Sequence, residues 1–269
     1  MRPAAATVPG PRRFGAVNWR GVWSLYRRDV VRFFRYAGES IAGPAVSSLL
    51  FLAVFELALG GGADMAPGVS LARFVAPGIV MFALTHSAFE NAAIPILYDK
   101  LEGMIGDIVG APLTPLEIVA GYTLSATSNA LTAGAVVLGL MAAFVDLPLA
   151  APAAVVGFAA AGAMLFALLG VVTGLWAERW DNYSAAETFL MLPLGLLSGA
   201  FFAVEGLPAD LRWVFEANPV FHAVEGFRYG FIGHAQASIG VAAAVLAALI
   251  AALGLLAWRL FVIGYRIKP

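Results

Sequence analysis

The chain has 269 residues, 61% of them hydrophobic and 12% charged, with a mean hydropathy of +0.86. Soluble domains run at about 45–50% apolar and about 25% charged, so these values exclude a soluble globule and point to a polytopic all-α membrane protein. The formal net charge of −1 says little, while the lack of cysteine excludes a disulfide framework, a structural Cys zinc site, a haem attachment and a thiol nucleophile.

Residues 1–18 form a basic tail rich in Pro, Gly and Ala that is expected to be disordered. The N-terminal region has no clean apolar core of the kind a cleaved signal requires. Residues 19–36, WRGVWSLYRRDVVRFFRY, have a helical period. At about 100° per residue, Trp19, Val22, Trp23, Tyr26, Val30, Phe33 and Phe34 share one arc, and Arg20, Arg27, Arg28, Arg32 and Arg35 take the remaining surface. The pattern predicts an amphipathic helix lying in the membrane interface, with its arginines on lipid phosphates and not on nucleic acid.

Residues 37–269 are predicted to form a six-span transmembrane domain, with spans near 38–59, 73–97, 117–143, 151–176, 184–204 and 238–263. An even number of spans puts both termini on one side. Thirteen of the 16 Lys/Arg residues fall on that side, against Arg73, Arg212 and Arg228 on the other. This asymmetry predicts cytoplasmic termini.

Charged groups inside spans are costly and mark candidate sites. In the second span His86 and Glu90 stand four apart, on one helical face, with Asn91 beside them. They are candidates for a substrate path or for hydrogen bonding between helices. Glu56, near the outer end of the first span, and Glu187, with Thr188 near the start of the fifth, are expected to reach water. Small residues spaced four apart, in GVVTG at 170–174 and GLLSG at 195–199, favour close helix packing.

The connection between the second and third spans, within YDKLEGMIGDIVGAPLTPLEIVAGY at 98–122, is long for a turn. Leu101, Met104, Ile105 and Ile108 have helical spacing, and APLTPLE stops that piece and starts the next span. The apolar stripe of such a short cytoplasmic helix is expected to meet either the membrane surface or a groove on a soluble partner.

Between the fifth and sixth spans, residues 205–237 are too aromatic for an ordinary loop and too interrupted by charge and proline to cross a bilayer. Two short helices are predicted near 207–217 and 219–232, broken at Asn218-Pro219. They either dip partway into the outer leaflet and return or lie on its surface. Phe201, Phe202 and Arg228 are candidates for lining an exit path. Arg228 is also placed to pair with Glu225, three residues earlier.

The 98–122 stretch resembles the coupling segment of ABC-2-type exporter permeases: an acidic residue and Gly (Glu102, Gly103) before a short helix, then Pro112, Leu113, Thr114 and Glu117. A second resemblance lies in Leu197-Ser198-Gly199 with Phe201-Phe202, Leu207-Pro208 with Leu211, Asn218-Pro219, and Phe227 to Gly230. The chain departs from the family's usual pattern at Ala203, where Pro is common, and at Glu225-Gly226, where an Asp commonly precedes the "FR" pair.

The resemblance implies the permease subunit of an exporter in the bacterial cytoplasmic (inner) membrane, moving an amphipathic drug, lipid or glycan-type substrate. It implies two permease copies, as a homodimer or a pair of different permeases, and two copies of a separate ABC ATPase subunit carrying ATP and Mg. Contact with that ATPase falls to Lys100, Leu101, Glu102, Gly103, Met104, Ile105, Asp107, Ile108, Pro112 and Leu113. This chain is expected to bind no cofactor or metal and to be no enzyme. Of its two lysines, Lys100 is followed by Leu and Lys268 by Pro, so neither completes a phosphate-binding GxxxxGK[ST] loop.

An ion- or proton-coupled carrier using Glu90 and His86 is the alternative, although its usual internal repeat is not evident. An intramembrane enzyme lacks the H-E-x-x-H and G-x-S-x-G signatures. A membrane scaffold without transport activity is the remaining reading.

Overall fold

Apolar runs bounded by Asn, Ser, Thr and Pro caps give a helical protein, seen in a computed structural model that describes residues 15–59, 64–66, 69–204 and 208–267. The expected disorder of the tail over 1–14 lies outside the described residues, as do Glu205, Gly206, Leu207 and Lys268. The order is α1 (Trp19–Arg35), a π-helical turn (Gly38–Ala42) running into α2 (Gly43–Leu59), then a small antiparallel pair, β1 (Asp64–Ala66) and β2 (Val69–Ser70). Next come α3 (Leu71–Leu101), α4 (Ile105–Gly110), α5 (Pro115–Phe144) and α6 (Pro152–Trp176). The chain continues through α7 (Trp180–Ala186), a π-helical turn (Glu187–Met191), α8 (Leu192–Leu196), α9 (Ala209–Glu216), α10 (Pro219–Ile232) and α11 (Ile239–Val262).

Among the described residues, five helical runs are long and apolar enough to cross a membrane: Gly38–Leu57, Leu71–Leu101, Pro115–Phe144, Pro152–Trp176 and Ile239–Val262. They fall where the first, second, third, fourth and sixth spans are predicted. The fifth differs. Its helix starts earlier, at Trp180, passes through the π-helical turn and stops at Leu196. Residues 197–203 are not helical although their apolar character continues. The chain breaks because Gly199 takes φ +65° and the Ser198 hydroxyl bonds its own neighbourhood, donating to the Gly195 carbonyl (2.6 Å) and accepting from Ala200 N–H (3.2 Å). Glu187 and Thr188 therefore lie in the middle of this run, not at its start.

α3 is the enclosed centre and packs against α6, α5, α10 and α2. Its closest neighbours are reached through small residues. A Cβ at Gly174 would sit 2.8 Å from the Ala93 carbonyl, and one at Gly170 would overlap that of Phe89, so the small residues of GVVTG seat α6 on α3 within one chain. Gly78 lets α3 meet the Ala200 backbone in the same way.

α1 lies along α5. The face it buries holds Val22, Leu25, Asp29 and Phe33, which is one edge of the predicted aromatic arc and not its middle. Trp19, Trp23 and Phe34 stay exposed beside the arginines. The reason is local: Asn18 caps the helix, accepting from Gly21 N–H (3.1 Å), and Leu113 lies against Gly21, so the entry angle is set by α5's start and not by the amphipathic maximum.

Candidate functional site

Three groupings of the sequence-predicted residues emerge at different depths. The first is the α3–α5 connection. α3 ends at Leu101, Gly103 turns the chain with φ +75°, and α4 spans only Ile105–Gly110. The predicted stripe is thereby split. Ile105 is buried (4% exposed) and Ile108 packs against the core, whereas Leu101, Met104 and Val109 face outward at 45%, 38% and 43% exposure. Glu102, Gly103, Asp107 and Pro112 are exposed as well. Lys100 and Leu113 point inward. The Lys100 ammonium donates to the carbonyls of Gly174 (3.3 Å), Leu175 (2.7 Å) and Ala177 (2.5 Å), closing the C-terminus of α6, where orphan carbonyls and the helix dipole favour a cation. Its ammonium thus caps α6.

The motif PLTPLE has a physical account. Thr114 Oγ1 accepts from Glu117 N–H (3.3 Å), and Glu117 Oε2 accepts from Thr114 N–H (2.7 Å), which is a capping box with Pro115 at the first helical position. The second oxygen of Glu117 accepts from Asn18 N–H (2.6 Å), and Asn18 Nδ2 donates to the Pro112 carbonyl (2.9 Å). One carboxylate thus joins the start of α1 to the start of α5.

A charge network unremarked in the sequence braces the same region. Arg28 donates to Asp99 Oδ2 (2.7 Å) and to Asp29 Oδ1 (3.0 Å), Arg32 donates to Asp29 Oδ1 (3.0 Å), and the Tyr122 hydroxyl donates to Asp99 Oδ2 (2.6 Å). Burial holds the Asp29 carboxyl above the usual carboxylate range, against the opposing pull of Arg28 and Arg32. An acidic residue within a basic helix, and another in the last turn of a span, were the available signals.

The second grouping is the polar cluster of α3. His86 Nδ1 lies 3.4 Å from Glu90 Oε2, as the spacing predicts, and His86 Nε2 lies 3.4 Å from Glu187 Oε1, which it does not. Glu187 is therefore joined to α3 while its side chain stays 34% exposed. Asn91 is largely engaged, donating to the Ser87 carbonyl (2.9 Å) and accepting from Asn129 of α5 (3.3 Å). Below this cluster a cleft of ≈ 1150 Å³ opens between α1 and α3, with Arg27, Arg28, Arg32 and Arg35 on one wall and Glu90 and Asn91 on the other.

The third grouping joins α10 to the bundle. Asn218 caps α10, accepting from Val220 N–H (2.9 Å), and its amide donates to the Leu194 (2.7 Å) and Leu197 (2.8 Å) carbonyls at the end of α8. One side chain satisfies two helix ends, which explains the Asn-Pro break. Arg228 is 1% exposed and paired with Glu225, which is 0% exposed. Its guanidinium also donates to the Phe74 (3.1 Å) and Gly199 (2.7 Å) carbonyls and sits 3.8 Å from the Phe74 ring centroid. Glu225 Oε2 accepts from Gln236 N–H (2.6 Å). The expected pairing holds, and within this chain Arg228 is enclosed beside Glu225, with 1% of its surface exposed. Phe201 stacks on Phe55 with centroids 5.3 Å apart and Phe202 meets Phe215 edge-on at 5.5 Å, both partly exposed.

Comparison with known proteins bears on what this arrangement serves. Residues 20–232 match the ABC-2 type transporter family. The chain is 27% identical over 242 residues to the inner membrane transport permease YadH of Escherichia coli (strain K12), covering 90% of this chain and 94% of that one. It is 30% identical over 241 residues to nodulation protein J of Rhizobium leguminosarum bv. trifolii, covering 86% of each, and 28% identical over 239 residues to that of biovar viciae, covering 87% of this chain and 88% of the relative. The match takes in α1, the α3–α5 connection, the His86 cluster and α10 together, and the chain belongs to the ABC-2 type transporter family as a transmembrane permease of an ABC transporter.

Proposed function

We propose that this permease is the membrane half of an ATP-driven exporter in the bacterial inner membrane, with six spans and cytoplasmic termini, and that a separate ABC ATPase docks on the α3–α5 connection. The observation that carries the proposal is the outward set Leu101, Met104 and Val109 on a segment braced from behind by Ile105 and by the ties of Lys100, Asp99 and Glu117. An apolar knob on a rigid mount transmits force, whereas one on a loose loop would yield. Two permeases would pair about the path, with two ATPase copies beneath carrying ATP and Mg.

In the same proposal α1 lies at the cytoplasmic interface, its exposed Trp19, Trp23 and Phe34 in lipid. The cleft between α1 and α3 is the mouth for an amphipathic cargo. The run Trp180–Leu196, about 25 Å long, is the fifth span, short because the 197–203 turn completes it. α9 and α10 dip from the outer side: Gly230 lies against Val155 near the start of α6, and Gly226 against Phe158 one turn further on. Ala223 approaches deeper still, at Gly162. Asn218 then marks the lowest point of the hairpin.

The test replaces Leu101 and Met104 by Asp, leaving Ile105 untouched because it belongs to the chain's own core. The variant should keep the melting behaviour of the wild type yet fail to co-purify with the co-expressed ATPase and fail to transport. Normal transport by a correctly folded variant refutes the docking site.

A further inference from the structure

Three side chains with metal-ligand chemistry meet inside the bundle. His86 and Glu90 stand one turn apart on α3, and Glu187 begins the π-helical turn after α7. One ligand atom from each lies within 4.8 Å of the others. Tetrahedral zinc with bonds of about 2.0–2.2 Å sets its donors about 3.4 Å apart, so side-chain rotations of about an ångström bring this set to bonding geometry. The three are about equally open, at 30%, 33% and 34% side-chain exposure, which leaves a free face for a fourth ligand.

An independent feature points into the same place. Tyr183 is 6% exposed, and its hydroxyl lies beside the Glu90 and Glu187 carboxylates without a well-formed hydrogen bond to any of the described residues. Its ring is fixed by stacking on Phe89, with centroids 6.1 Å apart and planes at 17°, and by an edge contact with Trp180. A buried phenol held just short of two carboxylates is placed to support them as ligands or to bond a water on a bound ion.

Charge gives the sign of that group. Among the described residues the ion pairs of Glu90 and Glu187 are with His86 alone. A protonated imidazole offsets one carboxylate and leaves the other without an ion pair of its own among the described residues. A divalent cation offsets both while the imidazole stays neutral and ligates. One nitrogen with two carboxylates suits a borderline first-row ion, while Mg²⁺ and Ca²⁺ demand more oxygens than converge here. We infer that His86, Glu90 and Glu187 form a site for a first-row divalent cation, Zn²⁺ fitting best, which ties α3 to the π-helical turn with Tyr183 as its supporting hydroxyl. A turn of π geometry is costly to keep in an α-helical run and recurs at ligand sites, and here it places Glu187 toward α3.

The experiment uses the full-length permease in lipid nanodiscs, stripped with chelator and titrated with Zn²⁺ against a chromophoric competitor, with Co²⁺ as an optical probe. One Zn²⁺ per chain and visible Co²⁺ bands of tetrahedral intensity are expected. Glu187→Gln and His86→Gln should each weaken binding more than about 10-fold and abolish the Co²⁺ bands, and Tyr183→Phe, which leaves the ligands intact, should weaken it by about 10-fold. Asp146→Asn, at the exposed pair with Arg73, should change nothing. Wild-type protein that takes up no more Zn²⁺ than a His86→Gln/Glu90→Gln/Glu187→Gln triple variant overturns the site, as does uptake unaffected by the single replacements. This inference is separate from ATPase docking, which is read at Leu101 and Met104.

Discussion

Arg228 and Glu225 offer the sharpest quantitative test, because both are enclosed and each holds more than its partner. Arg228→Met keeps volume but strands the Glu225 carboxylate, whose remaining partner is Gln236 N–H at 2.6 Å. Breaking one side of a buried pair costs about 3–5 kcal/mol. The Gly199 carbonyl loses its 2.7 Å donor as well, adding about 1 kcal/mol. Glu225→Gln should cost less, about 2–3 kcal/mol, since the arginine keeps two carbonyls and the Phe74 face. With both replaced no charge is left buried, so the double variant should be more stable than the sum of the singles, by a coupling energy of about 2–3 kcal/mol. Reversible unfolding of the purified protein in mixed micelles measures all four corners of the cycle. A coupling below about 0.5 kcal/mol, or an Arg228→Met variant within about 1 kcal/mol of wild type, refutes the clamp.

Lys100→Met should release the C-terminus of α6 at a cost of about 1–2 kcal/mol, seen as faster amide exchange near residues 174–177 while α4 stays protected. Gly78→Val forces α3 away from Ala200 and should cost about 1–3 kcal/mol, with a lowered melting temperature and increased proteolysis of the 197–204 turn as readouts. Asp29 gives a pH prediction. Its carboxyl is held above the ordinary 3.8, so between that value and the raised one the folded chain binds the extra proton and stability falls as pH rises. Asp29→Asn should remove that slope from the pH dependence of melting and leave α1 docked, because burial outweighs the attraction of the two arginines.

Five of the predicted spans coincide with helices long and apolar enough to cross a membrane, because hydropathy and cap residues agree: Thr114, Pro115 and Glu117 start α5 where the apolar run begins, and Asn218-Pro219 likewise starts α10. The apolar run predicted as a fifth span over 184–204 does not coincide with one helix, because apolar length cannot register a backbone change. Leu196 to Phe202 reads as span, yet Gly199 turns it. Intramembrane charge draws attention to His86, Glu90 and Arg228, but cost alone does not separate an open cluster from a closed clamp. That distinction is tertiary. It lies in Glu187, a hundred residues downstream, and in the carbonyls of Phe74 and Gly199. For the same reason the capping role of Lys100 is not legible in the sequence. The sequence shows its charge and its place beside α4, and the helix end it closes belongs to another span.

These long-range ties share one element. α3 is about 46 Å long and is gripped near both ends. Asp99 and Lys100 bind it to α1, α5 and α6 below, and Phe74 and Gly78 bind it to α10 and the Ala200 turn above. Its prolines stand just inside those grips, Pro77 by Gly78 and Pro95 one turn before Asp99. Each removes an i→i−4 hydrogen bond, so bending is easiest there. Were the lower end loose, a push on Leu101 and Met104 would be absorbed at once. Because it is tied to α1 and α6, a push arriving under the proposed docking has to carry those helices along or bend α3 at Pro95. Residues 78–94 between the prolines carry His86 and Glu90, whose bridge to Glu187 is the one polar link from this middle section to the α7–α8 run among the described ion pairs. Closing or opening that bridge is then the change within the bundle that such a bend most directly controls. That is why the occupancy of the His86 cluster, whether by a proton or by a metal ion, would set how readily force applied at α4 reaches α10.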